Sequence, residues 1–155
     1  MNEMRGGEFA DIWGRGLGRL TSLIESFPDD GRLWSVTGNA KNPPGTLALH
    51  LAGNVEHYIG AILGGTGYVR DREAEFGDRE VAKGEILRRV ESAKAVAIRT
   101  LGTLDDDALG KVYPAPTGAD LGIVEGATTR HFLIHLTWHL GWHLGQIHYS
   151  STPNA

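Results

Sequence analysis

Four stretches of this sequence carry apolar side chains at alternating spacings of three and four, and none alternates with the period of two that a half-buried strand needs. That pattern restricts the chain to an all-α fold. Trp13, Leu17, Leu20, Ile24 and Phe27 mark a first helix over residues 9–27. Pro28-Asp29-Asp30-Gly31 ends it, because proline disfavours helical backbone in the residue before it. Leu33-Trp34-Ser35-Val36 is expected as a short extended connector, and Asn42-Pro43-Pro44-Gly45 as a rigid turn. Leu47, Leu51, Val55, Tyr58, Ile59 and Ile62 then predict a second helix from Thr46 to about Leu63. Residues 64–79, first glycine-rich and then charged, read as a long connection. Such a segment can reach roughly 50 Å, whereas a 20-residue helix is about 30 Å long, so it can cross a whole bundle. A third helix is predicted from Glu80 to Leu101, with Val81, Ile86, Val90, Ala93, Ala97 and Leu101 inward. Residues 105–127 form an irregular loop, and Thr128 or Thr129 caps a fourth helix that reaches about Tyr149. Four helices of this length predict a four-helix bundle.

At 155 residues, one domain over residues 1–155 is expected. A formal charge of -4 and few clustered arginines argue against a nucleic-acid partner. No window approaches the length of a membrane span, and Met1 to Gly7 lack the apolar run of a secretory signal. No membrane role and a cytoplasmic location are therefore expected. The absence of cysteine removes disulfides, thiolate ligands and a cysteine nucleophile together, so any sulfur chemistry must use a thiol from outside. Gly14-Arg15-Gly16-Leu17-Gly18 lies inside the first helix and follows no strand, so it is not a phosphate loop. Asp105-Asp106-Asp107 reads as solvated carboxylates or a helix cap, and Ser150 and Ser151 occupy no nucleophile elbow.

The chemistry concentrates in seven histidines, of which His131, His135, His139 and His143 recur every four residues. Each step of four rotates a helical side chain by only about 40°, so they form a slanting stripe on one helix. His139 and His143 lie beside the sector of Phe132, Leu133, Leu136, Leu140, Leu144 and Ile147, and are expected to be the buried pair. Two histidines at i and i+4 can present ring nitrogens to one ion, and a third ligand must come from another helix. His50, between Leu47 and Leu51, is the best placed; His57 lies about 10 Å further along the axis, and His148 turns away. Burying several imidazoles side by side without a shared cation or dedicated hydrogen bonds is costly, which favours a metal or catalytic role over packing.

His50-Leu51-Ala52-Gly53-Asn54, the segment Gly67 to Phe76, and His135-x-x-x-His139-x-x-x-His143-Leu144-Gly145-Gln146 together resemble the DinB-like family of damage-inducible and thiol-transferase proteins, over residues 10–150. The resemblance implies an up-down-down-up four-helix bundle with a divalent metal, zinc or nickel, held by His50, His139 and His143. It implies His135 as a pocket residue and Gln146 as a packing or hydrogen-bonding residue below the site. It further implies a transferase using a low-molecular-weight thiol such as bacillithiol, mycothiol or glutathione, with small-molecule thiol and electrophile as partners, and pairing as a homodimer, for which an exposed Trp34 or the surface of the first helix could serve, although nothing in the sequence selects a face. Three neutral imidazoles leave coordination positions open on a dication, which lowers the pKa of a bound water or thiol. Trp138, Trp142 and Tyr58 are candidates to line a pocket for the electrophile, and His57, Asn54 and Arg70 to contact the thiol. Two other readings stand beside this one. A non-catalytic metal-binding bundle, acting in stress response or partner binding, predicts a fourth protein ligand such as His135. A metal-dependent hydrolase needs a general base, for which Glu56 is the nearest carboxylate.

Overall fold

The structure, a computed structural model, describes residues 5–118, 122, 123 and 125–151. Its long elements are α1 (Gly6–Ser26), α3 (Pro44–Val55), α6 (Lys83–Gly102) and α8 (Thr129–Ser151). α3 continues through a π-helical segment, Glu56–Ala61, into a last turn, α4 (Ile62–Gly64). Three short helices complete the set: α2 (Asp30–Leu33), α5 (Arg72–Gly77) and α7 (Asp106–Gly110). Among the described residues there is no strand, only an isolated bridge between Val112 and Thr128. No helix among them is long and apolar enough to cross a membrane.

α1 packs against α6 and α8, and α3 packs against the same two helices and also touches α1. Successive contacts fix the sense of each pairing. Gly6 meets Leu101 and Leu104, Gly14 meets Ile98, and Gly18 meets Lys94, so α1 and α6 run in opposite directions. Trp13, Gly16 and Arg19 meet Thr137, Leu140 and His148, so α1 and α8 run the same way. The buried apolar side chains form one contiguous cluster, centred on Trp13, Leu17, Leu51, Ile86, Phe132 and Leu136. Trp13 Nε1 is inside this cluster and donates to Thr137 Oγ1 at 3.1 Å, which satisfies an indole N–H that burial would otherwise strand. Gly6 lets α1 start against the end of α6: its N–H donates to Leu104 O at 3.0 Å, and a Cβ there would overlap the Leu101 carbonyl.

The four expected helices are present, and the differences lie at their joints. The connector expected to be extended instead contains a helical turn, capped by Asp29, whose Oδ1 accepts from Arg32 N. The third helix begins at Lys83 and not Glu80, because Glu80 has a φ of 63°, outside right-handed helical backbone. The second helix is not α-helical throughout. Its π segment carries Tyr58, Ile59 and Gly60 inward, and the Tyr58 carbonyl accepts from Tyr113 Oη at 2.7 Å. An apolar pattern over so few residues cannot separate four-residue from five-residue closure. Asp105 does cap a short helix, accepting from Ala108 N, and Thr128 Oγ1 accepts from His131 N at the start of α8. Of the loop expected over 105–127, residues 119–121 and 124 lie outside the described residues.

Trp34 does not present the exposed docking surface expected of it. It is half-buried, donates from Nε1 to Val81 O at 3.2 Å, and lies over Gly45 where a Cβ would clash.

Candidate metal centre

His50 on α3 and His139 and His143 on α8 come together where the two helices face one another, their ligand atoms all within 4.8 Å of one another. His50 Nε2 lies 3.2 Å from His139 Nε2, which in turn lies 3.1 Å from His143 Nε2. A tetrahedral ion with bonds of about 2.0–2.1 Å has ligand atoms roughly 3.3 Å apart, so this spacing suits one ion. His50 and His139 are buried and His143 is half-buried.

The hydrogen bonds behind the rings orient the cluster. His50 Nδ1–H donates to Glu75 Oε1 at 3.1 Å, and His143 Nδ1–H donates to Gln146 Oε1 at 2.6 Å. With those protons on Nδ1, both Nε2 atoms carry lone pairs directed at His139 Nε2. One proton on His139 can satisfy only one of them, whereas a cation satisfies all three. The donor set therefore fits a metal ion with affinity for imidazole, with carboxylate and amide groups behind the ring nitrogens, as metal sites commonly have. Burial, then the neighbouring His143 and His50, push His139 down to about 3, and burial holds His143 low as well. These two rings are thus kept in the neutral form that ligates.

Glu75 is the residue that the sequence did not bring to notice. It lies on α5, inside the segment read as connection, and is buried at 6% exposure. Arg70 forks onto it, Nε to Oε2 and Nη2 to Oε1, both at 2.8 Å. Burial raises the Glu75 carboxyl, yet the hydrogen bonds from Arg70 and His50 outweigh that and hold it below the usual range. The available signal was Asp71, whose Oδ1 caps α5 by accepting from Ala74 N, followed by the apolar Phe76. Arg70, expected as a thiol contact, is engaged by Glu75.

Gly53 makes the carboxylate's approach possible. A Cβ on this glycine would overlap Glu75 Oε2 and Cδ, so the bare backbone of α3 is the gap through which Glu75 reaches His50. Gly53→Ala is expected to displace the carboxylate, costing about 1–3 kcal/mol despite alanine's better helix propensity. It is also expected to weaken metal binding about 10- to 100-fold, the usual effect of disturbing a group behind a ligand. Chemical denaturation and competition with a chelator check both effects, and unchanged metal affinity would contradict this role.

The remaining histidines stay apart from the cluster. His135 is stacked on Phe132, and its buried Nε2 has no partner among the described residues; it is not brought into the three-histidine group. His57 lies against Tyr58, His148 is exposed with Nδ1 3.4 Å from Arg19 Nη2, and His131 is exposed. Gln146 takes its expected hydrogen-bonding place. Glu56 accepts from Ser92 Oγ and lines a different cavity, so it supplies no base at the cluster.

Beside the cluster opens a cavity of about 530 Å³, lined by Asn54, Tyr58, Arg72, Phe76, Trp138 and Trp142 together with the three histidines. Its size is that of a small-molecule site. Trp138 and Trp142 are 61% and 58% exposed and form its outer wall on α8. Asn54, one helical turn beyond His50, is 2% exposed, and its Oδ1 has no partner among the described residues. The histidines thus offer three donors at an opening wide enough to admit an outside ligand.

A family model described as the DinB superfamily matches residues 13–147. No curated protein and no solved structure matches the chain.

Proposed function

Because this chain belongs to the DinB superfamily, we propose that His50, His139 and His143 hold a divalent metal, zinc or nickel, and that the protein is a thiol-dependent S-transferase. The observation that carries this reading is the convergence of three Nε2 atoms beside an open cavity, with no fourth histidine, cysteine or carboxylate joining them among the described residues. A closed structural site would need that fourth ligand. The bound metal would supply a lowered pKa to a coordinated thiol, making its sulfur nucleophilic near neutral pH.

The chain's own residues do the rest. Glu75 and Gln146 hold the His50 and His143 rings with Nε2 inward. Trp138, Trp142 and Tyr58 offer apolar surface for an electrophile and limit water at the sulfur. Since the chain has no cysteine, the thiol comes from solution as bacillithiol, mycothiol or glutathione. A reducing cytoplasm suits that co-substrate. Glu56, Gly60 and Gly64 meet Ser92, Val96 and Thr100 in order, so the second helix runs the same way as α6, and with the senses of the α1 contacts this supports an up-down-down-up bundle as a single domain. Pairing of two copies as a homodimer belongs to the same reading, and Ile134, more than half exposed on α8 and outside the cavity lining, is a candidate contact for it.

The test is conjugation of each thiol to monochlorobimane, in which sulfur forms the new C–S bond, chloride leaves and the thiol proton passes to solvent. Protein reconstituted with zinc or nickel is expected to accelerate the reaction well above its uncatalysed rate, and chelator-stripped protein is not. Metal binding without acceleration by any of the three thiols would overturn the transferase reading and favour the non-catalytic one.

A further inference from the structure

The cavity beside the histidines is cationic and has no acid of its own. Among its described lining residues are two arginines and no aspartate or glutamate. The arginines differ in state. Arg70 is neutralised by its two hydrogen bonds to Glu75. Arg72, at the start of α5, makes no ion pair among the described residues. Its guanidinium carbon lies 5.0 Å from the centroid of the Phe76 ring, and that ring lies 4.9 Å from the ring of His50. A cation–π contact therefore stations a permanent positive charge one aromatic ring away from the histidine cluster. The charge balance is one-sided: a neutralised Arg70, a dication when the site is loaded, and Arg72. A ligand that enters this cavity lowers the electrostatic energy most if it carries negative charge beyond its donor atom.

We propose that Arg72 is a specificity residue that selects metal ligands bearing a carboxylate, so that the thiol accepted by this site is an anionic one. The inference rests on the proposed function, since it assigns the ligand class of the same site. Sulfur occupies the open side of the three histidines, the ligand's body lies against Phe76 and the two tryptophans, and its carboxylate meets the guanidinium fork of Arg72, which matches a carboxylate's geometry. The buried amide of Asn54 lies beside the same path and offers its unpartnered Oδ1 to a polar hydrogen of the ligand.

The experiment uses the full chain loaded with cobalt(II), whose absorption reports both metal binding and entry of sulfur, titrated with 3-mercaptopropionate and 6-mercaptohexanoate, each against its neutral amide. The wild-type protein is expected to bind at least one of the carboxylates roughly tenfold more tightly than its amide, the value of one charge-assisted hydrogen bond, with the preference shrinking as salt is raised. Arg72→Met removes the charge from a surface position, retains good helix propensity, and is expected to keep its cobalt content and its affinity for the amides while losing the preference. Equal affinity of wild-type protein for acids and amides, or a preference that survives Arg72→Met, overturns the inference and leaves the metal site standing. Cobalt that does not bind, or whose spectrum no thiol perturbs, overturns the proposed function itself.

Discussion

His139→Ala is expected to take the protein from about one bound zinc or nickel per chain to almost none, the largest effect of any single substitution at the site. His139 is the central member: its Nε2 is the atom from which both His50 and His143 are 3.1–3.2 Å away, and two histidines from different helices remain when it is removed. Two ligands do not make the three-donor protein set of an open zinc site. The metal-free fold should tolerate the change comparatively well, because a desolvated ring with an unpartnered Nδ1 disappears with it. The two effects separate in a thermal experiment. Zinc at about a thousand times its dissociation constant stabilises the wild-type protein by about 4 kcal/mol, which is roughly 10 °C in a chain of this length. The His139→Ala protein should keep its helical circular dichroism and show no such rise. A full zinc-induced rise in the variant would place the metal elsewhere.

Glu75→Ala is expected to have the largest effect on stability, about 3–5 kcal/mol. The substitution strands the Arg70 guanidinium, whose side chain is only 11% exposed, and breaking a buried pair from one side leaves an uncompensated charge. It also removes the acceptor that fixes His50, so metal affinity should fall about 10- to 100-fold. A second variant distinguishes these contributions. In Arg70→Met with Glu75→Leu both charges are gone, so stability should return to near the wild-type value while metal affinity remains low. Denaturant midpoints and chelator competition on the two variants provide the measurement. If the double variant recovers metal affinity together with stability, Glu75 acts only as the counter-ion of Arg70 and does not orient His50.

The cooperation of Gly53, Glu75 and His50 explains why the second helix carries His50-Leu51-Ala52-Gly53-Asn54 in that order. His50 and Asn54 are four apart and share a face beside the cavity, while Gly53 opens the backbone on the side where α5 approaches. Leu51 and Ala52 are buried in the core, so this short run faces three different neighbours at once. The connecting segment after it is accordingly more than a link. It delivers Glu75 to the back of His50 and carries Arg72 and Phe76 to the cavity.

What the sequence determined by itself was the set of four helices and the faces they bury, because 3.6 residues per turn fixes side-chain direction from spacing alone. His50 between Leu47 and Leu51, and His139 and His143 beside Leu136 and Leu140, were placed inward on that ground, and the structure brings these three together. Local rules also left Asp105 to Asp107 as solvated carboxylates or a cap and offered Thr128 or Thr129 as a cap, and the structure uses Asp105 and Thr128. The partners of those faces were decided only by the tertiary structure. His50 meets His139 across 89 positions and Glu75 across 25, and no local preference records which level of one helix will meet which level of another. The π segment, the sheltering of Trp34 by Val81 and Gly45, and the unequal fates of Arg70 and Arg72 have the same origin. Each depends on which atoms packing brings within a few ångströms, and close packing discriminates at a scale finer than helical periodicity can express.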